Sequence, residues 1–408
     1  MHRNQNSSKK EKIVYLEWRI NALKRIYSID FTRGLVMIIM ALDHVRDMIH
    51  VSSVMQRPTD LTTTTPILFF TRWITYLCAP IFVFLAGTSA YLSFKSKGNP
   101  SENRKYFLKR GLWLLILEFT IINFALFFDA GFHTLIFEVI SAIGFGFIIL
   151  SLLIRSSLKT ICMIGLVILF FYGLLSLIPT TPGSTINTIL SLLFSPGAFP
   201  ISSNRVFLMA YPPIPWLGIM LIGFAAGKLF ELSIDKRKTI FVRIGLGSLL
   251  LFIILRFMNI YGDPLPWSPQ KNLVFSFLSF INISKYPPSL LFCLVTLGIM
   301  FLILAFVERE NRFTPIVSVY GKVPLFYFML HFYIIHLLLL IILFFQGIHW
   351  SEMAFATGTF GRPNGIKSGL PLWAIYLIWI ALVTLLYIPC KRYGKYKLGH
   401  HYWWLRYL

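Results

Sequence analysis

Acidic residues are scarce in this chain: 16 Asp and Glu stand against 38 Lys and Arg in 408 residues, and charged residues of both signs make up only 13%. A soluble domain is about 25% charged and about 45–50% apolar. With 56% hydrophobic residues, the shortage of charge excludes a water-soluble globule. Cysteine is scarce as well. Cys78, Cys162, Cys293 and Cys390 stand far apart with no C-x-x-C, which excludes a zinc ribbon and a disulfide framework. No apolar h-region follows the polar N-terminus, so residues 1–27 read as a cytoplasmic basic leader and not as a cleaved signal peptide. No domain-sized soluble segment is present to carry a nucleic-acid site, so the net charge of +22 marks membrane sidedness.

What the sequence has in abundance is apolar runs of roughly 20 residues, each long enough to cross a hydrocarbon core of ~30 Å. They fall at 31–50, 67–93, 106–128, 132–154, 159–179, 212–232, 240–260, 287–307, 321–346 and 370–390. The pattern predicts an all-α polytopic membrane protein with about ten transmembrane helices, forming a single domain over 28–390 and ending in a basic, aromatic tail at 391–408. The lipid bilayer is its first expected partner. Apolar stretches at 186–194 and 272–283 are too short to span and read as re-entrant or interfacial helices.

Charge orients the bundle. Residues 1–27 carry seven Lys/Arg against two Glu. The connections at 94–105, 155–159, 233–243 and 308–322, with the tail, hold most of the remaining cations. The alternate loops are poor in Lys and Arg for their length, so the positive-inside rule puts both termini in the cytoplasm. The Pro- and aromatic-rich outer loops read as a lid, in which Trp216, Trp267 and Trp350 are available to stack on a sugar or to sit in an interfacial belt.

The first span ends in DHVRDMIH, 43–50. At 100° per residue Asp43, His44, Arg46, Asp47 and His50 fall within an arc of about 160°, a titratable stripe opposite an apolar face. Asp43 and His44 lie about 15 Å along the helix from Arg33, at a depth where ionisable groups face a bundle interior or a wet cavity. Three readings apply: a helix end reaching water, a metal site of His44, Asp47 and His50, and a catalytic or binding cluster. The spacing matches no zinc pattern, so no metal is expected. Other polar residues within the apolar runs are positioned to converge on the stripe: Arg72 and Trp73, Glu118 and Asn123, Glu138, Arg256, and His331 and His336 in HFYIIH. The last two lie about 140° apart on a helix and cannot both face one point.

RIYSIDFTRGLVMIIMALDH (25–44) resembles the opening of the heparan-alpha-glucosaminide N-acetyltransferase catalytic-domain family, most nearly its bacterial members. FFTRWITYLCAPIFVFLAGTSAYL (69–92), PPIPWLGIMLIGFAAGKLF (212–230) and GKVPLFYFMLHFYIIHLL (321–338) continue the match in order. The resemblance implies a multi-pass acyltransferase of the bacterial inner membrane. It would move acetyl from cytosolic acetyl-CoA, a co-substrate, to an amino sugar, glycolipid or envelope glycan on the outer side, and a homodimer is among its possible forms. The family's outer histidine follows the first span. Here the loop VSSVMQRPTDLTTTTP holds no histidine after His50, so either His44 or His50 takes that part, or Asp60 shares in it, or the chemistry differs from the family's.

Acyl transfer needs a base for the acceptor and donors for the oxyanion. His44 is the first choice as base or acyl carrier, oriented by Asp43 or Asp47, with His50 next. Arg72, Trp73, Asp60, His331, His336 and Glu118 are candidates for contacting the substrate or polarising the thioester. Arg33, Arg104, Lys105, Lys109 and Arg110 are candidates for the CoA phosphates, against the plainer reading that they mark cytoplasmic loops. A proton-coupled transporter or flippase is the competing class, since buried titratable groups and Pro-broken helices serve it equally.

Overall fold

The computed structural model describes residues 26–53, 56–177, 181, 183–308, 314–400 and 402–406; nearly all of the predicted basic leader lies outside them. The chain is mostly helical. Helix α1, Tyr27–Ile49, runs 23 residues with charges toward both ends. The run predicted at 67–93 is a broken helix: α2, Pro66–Ile74, a 3₁₀ turn at Thr75–Leu77, then α3, Cys78–Lys97. Helix α4, Pro100–Leu117, passes through a π-helical turn at Glu118–Ile122 into α5, Asn123–Phe127. Strand β1, Thr134–Phe137, precedes α6, Val139–Leu153. Next come α7, Leu158–Phe171, α8, Thr185–Phe194, β2, Gly197–Ser202, and β3, Arg205–Met209. Helices α9, Pro213–Ala226, α10, Ile234–Met258, α11, Leu273–Ile281, and α12, Leu290–Phe306, come after the strands. Helices α13, Thr314–Gly321, α14, Pro324–Phe345, and α15, Leu372–Gly399, complete the chain.

Among the described residues seven helical segments are long and apolar enough to cross a membrane: Pro66–Ser96, Pro100–Phe127, Leu158–Leu175, Pro213–Glu231, Ile234–Met258, Pro324–Phe345 and Leu372–Gly399. The other predicted spans fall on α1, α6 and α12. Asp30, Arg33, Asp43, Arg46 and Asp47 set α1 apart from an uninterrupted apolar helix, and α6 and α12 have only 15 and 17 residues. The two short apolar stretches are the helices α8 and α11. Helix α15 continues past residue 390, carrying Lys391, Arg392, Lys395 and Lys397 on its last turns.

The mostly helical chain agrees with the all-α expectation and adds to it a small three-stranded sheet in the order β1-β3-β2, with β1 parallel and β2 antiparallel to β3. The segment that includes Pro200, Pro212 and Pro213 cannot extend a helix, and its backbone groups at the bundle's end need partners. Asn123 adds a side-chain rung, donating to the Thr134 carbonyl at 3.0 Å and accepting from the Ile136 amide at 3.0 Å.

Glycines set the closest helix crossings. Gly34 meets Gly321 between α1 and α13, and between α3 and α9 Gly87 meets the backbone of Met220 and Phe224 while Gly223 meets that of Phe84. A Cβ on Gly223 would lie 2.1 Å from the Phe84 carbonyl oxygen, and one on Gly87 would lie 2.1 Å from that of Met220. Thr88 Oγ1 donates to the Gly223 carbonyl at 3.0 Å across the same crossing. In lipid, where apolar burial adds little, such close backbone approach is the main packing force. Gly223→Ala is expected to destabilise the fold by about 1–3 kcal/mol, measured as a lowered thermal midpoint of the purified protein.

Two buried arginines fasten the connecting segments at one end of the bundle. Arg256 donates to the carbonyls of Leu265, Phe280, Ser279 and Asn282 at 2.8–2.9 Å, closing the C-terminal end of α11. Arg362 donates to the His50 carbonyl at 2.9 Å and to Ser53 Oγ at 2.7 Å, tying the segment before α15 to the end of α1. A cation is the residue type that satisfies several C-terminal helix carbonyls at once.

Candidate active site

The stripe on α1 divides into a charge network and a histidine. Arg46 Nη2 lies 2.6 Å from one carboxylate oxygen each of Asp43 and Asp47. Arg72, delivered by α2, places Nη1 2.6 Å from both Asp43 oxygens and 3.6 Å from Asp47. Its guanidinium also lies over the Tyr76 ring, 5.7 Å from the centroid. The break between α2 and α3 turns this arginine toward α1. The carboxylates expected to orient His44 are thus held by two arginines.

His44 is oriented by another histidine. Its Nδ1 lies 2.5 Å from His331 Nε2, and its ring stacks on Phe332 with centroids 4.3 Å apart. His331 Nδ1 lies 3.1 Å from the Tyr327 carbonyl oxygen, one turn back on α14. A carbonyl only accepts, so His331 Nδ1 carries the proton, and in the neutral imidazole its Nε2 is an acceptor. His44 Nδ1 then donates, and His44 Nε2 keeps a lone pair. The arrangement has the logic of a base held in one tautomer by a fixed partner.

His44 lines a cavity of about 280 Å³ together with Asp43, Asp47, Glu138, Lys285, Tyr211 and Tyr286. Its apolar walls include Phe82, Phe328 and Phe332, and Ile136 and Leu208 bring in the small sheet. Sequence reasoning missed Lys285, Tyr211 and Tyr286 and left Glu138 as one polar residue among several. Lys285 is buried on the segment between α11 and α12. The signal was there: a lysine beside YPP in a connection otherwise short of cations.

Several predicted residues do not reach this cavity. Asp60 sits in an exposed turn, where the Thr62 hydroxyl at 2.7 Å and backbone amide at 3.0 Å hold its carboxyl below the usual range. Trp73 turns away, donating to the Ile281 carbonyl at 3.0 Å. Glu118 is buried against the N-terminus of α6, accepting from the Ser141 amide at 2.9 Å. His336 faces the Ala125 carbonyl at 3.3 Å and stacks on Phe128, the divergence its spacing predicts. His50 closes α1 beside Arg362 and pairs with Leu370, so His44, Asp47 and His50 do not converge. Trp216 is fully buried against Tyr211 and offers no platform for a sugar.

A second cavity, about 250 Å³, lies toward the Arg33 end of α1. It is lined by Arg33, Ser89, Tyr106 and Arg110 and by apolar residues from α3, α4, α6 and α14. Arg33 donates to the Leu85 carbonyl at 2.8 Å and to Ser89 at 2.5 Å. Arg110 lies over the Phe147 ring at 5.2 Å. Arg104, Lys105 and Lys109 are exposed on the same helix as Arg110 and do not line the cavity. Phe82, Val139 and Phe328 belong to the walls of both cavities.

Residues 25–258, more than half of the chain, match the model of the family described as heparan-alpha-glucosaminide N-acetyltransferase, catalytic. The chain belongs to the heparan-alpha-glucosaminide N-acetyltransferase family. No curated protein matches it. Membership points to acetyl transfer by a membrane protein that uses acetyl-CoA as donor. The matched segment contains His44, Arg72, Arg33 and Arg110, while His331 and Lys285 lie beyond it.

Proposed function

We propose that the protein transfers acetyl from acetyl-CoA, bound at the Arg33 end, to an amino or hydroxyl group of a sugar held in the His44 cavity. The observation that carries this reading is the common wall: Phe82, Val139 and Phe328 separate a cavity bearing arginines from a cavity bearing an oriented imidazole. Arg33 and Arg110 supply the cationic mouth that CoA phosphates need, and the apolar walls suit the pantetheine arm. The exposed Arg104, Lys105 and Lys109 draw the nucleotide toward it. Placed by the positive-inside rule, the donor site faces the cytoplasm and the His44 cavity faces outward, across the inner membrane of a bacterium, with both termini inside. The ten-span count is reached when α1, α6 and α12 are taken as spans with the seven apolar segments.

The reaction balances without a further reagent. His44 Nε2 takes a proton from the acceptor amine as its nitrogen attacks the thioester carbonyl. The carbonyl electron pair moves to oxygen, where the Lys285 ammonium stabilises the charge. Collapse breaks the carbon–sulfur bond, and the CoA thiolate takes the proton from the His44 imidazolium. One N–H and one C–S bond are exchanged for one C–N and one S–H bond. His331 acts through His44, as a positioning residue.

Protein reconstituted in liposomes, with labelled acetyl-CoA on one side and amino sugars on the other, tests the reading. Labelled N-acetyl sugar trapped opposite the donor is the expected product. Sugar crossing unmodified would support a carrier and overturn the enzyme. Label retained on denatured protein would make His44 an acyl carrier. Arg110→Ala is expected to raise KM for acetyl-CoA about tenfold, the scale of one charge-assisted phosphate contact, read from initial rates with acceptor saturating.

A further inference from the structure

We propose that the acceptor is a phosphate-free glycolipid that reaches the His44 cavity from the side, through a third cavity between α7, α8 and the loops at 260–264 and 287–290. The inference rests on the acetyltransferase reading for the chemistry performed on the sugar. The His44 cavity, about 280 Å³, has room for one sugar ring, so the rest of any larger acceptor must lie elsewhere. The third cavity, about 540 Å³, is close to twice that size and within the roughly 300–1,000 Å³ usual for small-molecule sites.

Its chemistry is amphiphilic. Tyr172, Asn187, Ser191 and Tyr261 contribute hydroxyl and amide groups, Asp263 a carboxylate, and Leu190 and Phe194 apolar surface. The described residues that line it include no Lys or Arg, so a phosphate-bearing head has no counter-charge there. Around it the surface is apolar: Ile186, Phe171 and Ile260 are 67%, 57% and 81% exposed, and α8 has no buried residue. In a membrane protein such a surface meets acyl chains. A molecule with hydroxyls inside the cavity and chains along this rim is a glycolipid without phosphate.

One short segment separates the third cavity from the site of chemistry. Lys285 and Tyr286 line the His44 cavity, and Pro287, Ser289 and Leu290 line the other. Asp263 holds this segment at both ends, accepting from the Ser284 amide at 2.8 Å and from Ser289 Oγ at 2.6 Å. Tyr172 donates to the Pro288 carbonyl at 2.7 Å from the far wall. A glycolipid seated along Pro287–Ser289 has its head beside Lys285.

Gly173 gives a means of plugging the cavity, because it lines the wall and a Cβ there meets nothing within 4 Å. The test compares dodecyl glucosaminide with free glucosamine in lipid nanodiscs, using labelled acetyl-CoA and the full chain. The wild type is expected to show a KM at least about tenfold lower for the alkyl glycoside, and in Gly173→Trp the two values should converge. A diazirine analogue of the alkyl glycoside should label peptides from 158–177 or 185–195 in the wild type and not in Gly173→Trp, with or without acetyl-CoA. Equal KM values in the wild type, or labelling confined to other segments, overturn the lateral site. Labelling at the expected peptides with no acetyl transfer to either sugar leaves the lipid site standing and brings down the acetyltransferase reading instead.

Discussion

Replacing His44 by glutamine is expected to lower kcat for acetyl transfer by about 10²–10⁴-fold, the usual contribution of a positioned general base. Glutamine retains a donor for His331 Nε2 but offers no basic nitrogen to the cavity. The fold should stand, because neighbouring Phe332 and Phe328 remain packed on α14 and Asp43 keeps both its arginines. The measurement is turnover of labelled acetyl-CoA with an amino sugar, beside a thermal unfolding curve of the same preparation. A variant that turns over like wild type takes the chemistry away from His44. His331→Ala should show a smaller loss, about tenfold or somewhat more, confined to kcat. Freed from its acceptor, the His44 ring would exchange tautomers, so the pH–rate profile should also change shape. A purely structural role for His331 would lower the thermal midpoint and leave that profile alone.

The part of this arrangement legible in the sequence is the part carried by one helix. Residue spacing alone placed Asp43, His44, Arg46 and Asp47 on one face of α1, and the ion pair of Arg46 with Asp43 is an i,i+3 contact that spacing allows. The divergence of His331 from His336 was readable for the same reason. The pairings across helices were not. Which cation neutralises Asp43 depends on where the break at Thr75–Leu77 turns α2. Which group orients His44 depends on how α14 lies against α1, and residue spacing within one helix holds no register between two.

Apolar runs located the seven long apolar helices, but they did not reveal how the runs end. Residues 132–154 read as one membrane helix because TLIF is as apolar as the helix-forming residues after it. The structure makes TLIF a strand, since Asn123 and β3 offer its backbone better partners than another helical turn would. Lys285 escaped notice for a related reason. Its importance comes from burial beside Asp43, and burial of a loop lysine is set by the loop's anchors, Asp263 and the cavity wall, which lie far from it in sequence. Cations in the α4 segment were read as a group, whereas the helix separates them: Arg110 lines the cavity at the Arg33 end of α1 and Arg104, Lys105 and Lys109 remain on the surface.

Removing the carboxylate of Asp43 should have the largest effect on stability of any change near the site. Its side chain is 9% exposed and those of Arg46 and Arg72 are 2% and 14% exposed, so solvent screens the cluster little. Asp43→Ala leaves Asp47 as the one carboxylate among the described residues in contact with both guanidinium groups, while Nε and Nη1 of Arg46 have no acceptor among the described residues. Breaking a buried pair by deleting one partner costs about 3–5 kcal/mol. The asymmetry of the network makes the claim specific. Arg72→Met should cost less, because Asp43 keeps Arg46 at 2.6 Å. Asp43→Asn, which preserves an acceptor but no charge, should fall between the two. Cys78 gives an independent readout, since it lines the same cavity and is buried. As the cluster loosens, its thiol should react faster with a small maleimide in the order Arg72→Met, Asp43→Asn, Asp43→Ala. Equal stabilities for the three variants would mean that α1 and α2 are held by packing alone, with the two arginines incidental to the shape of the cavity.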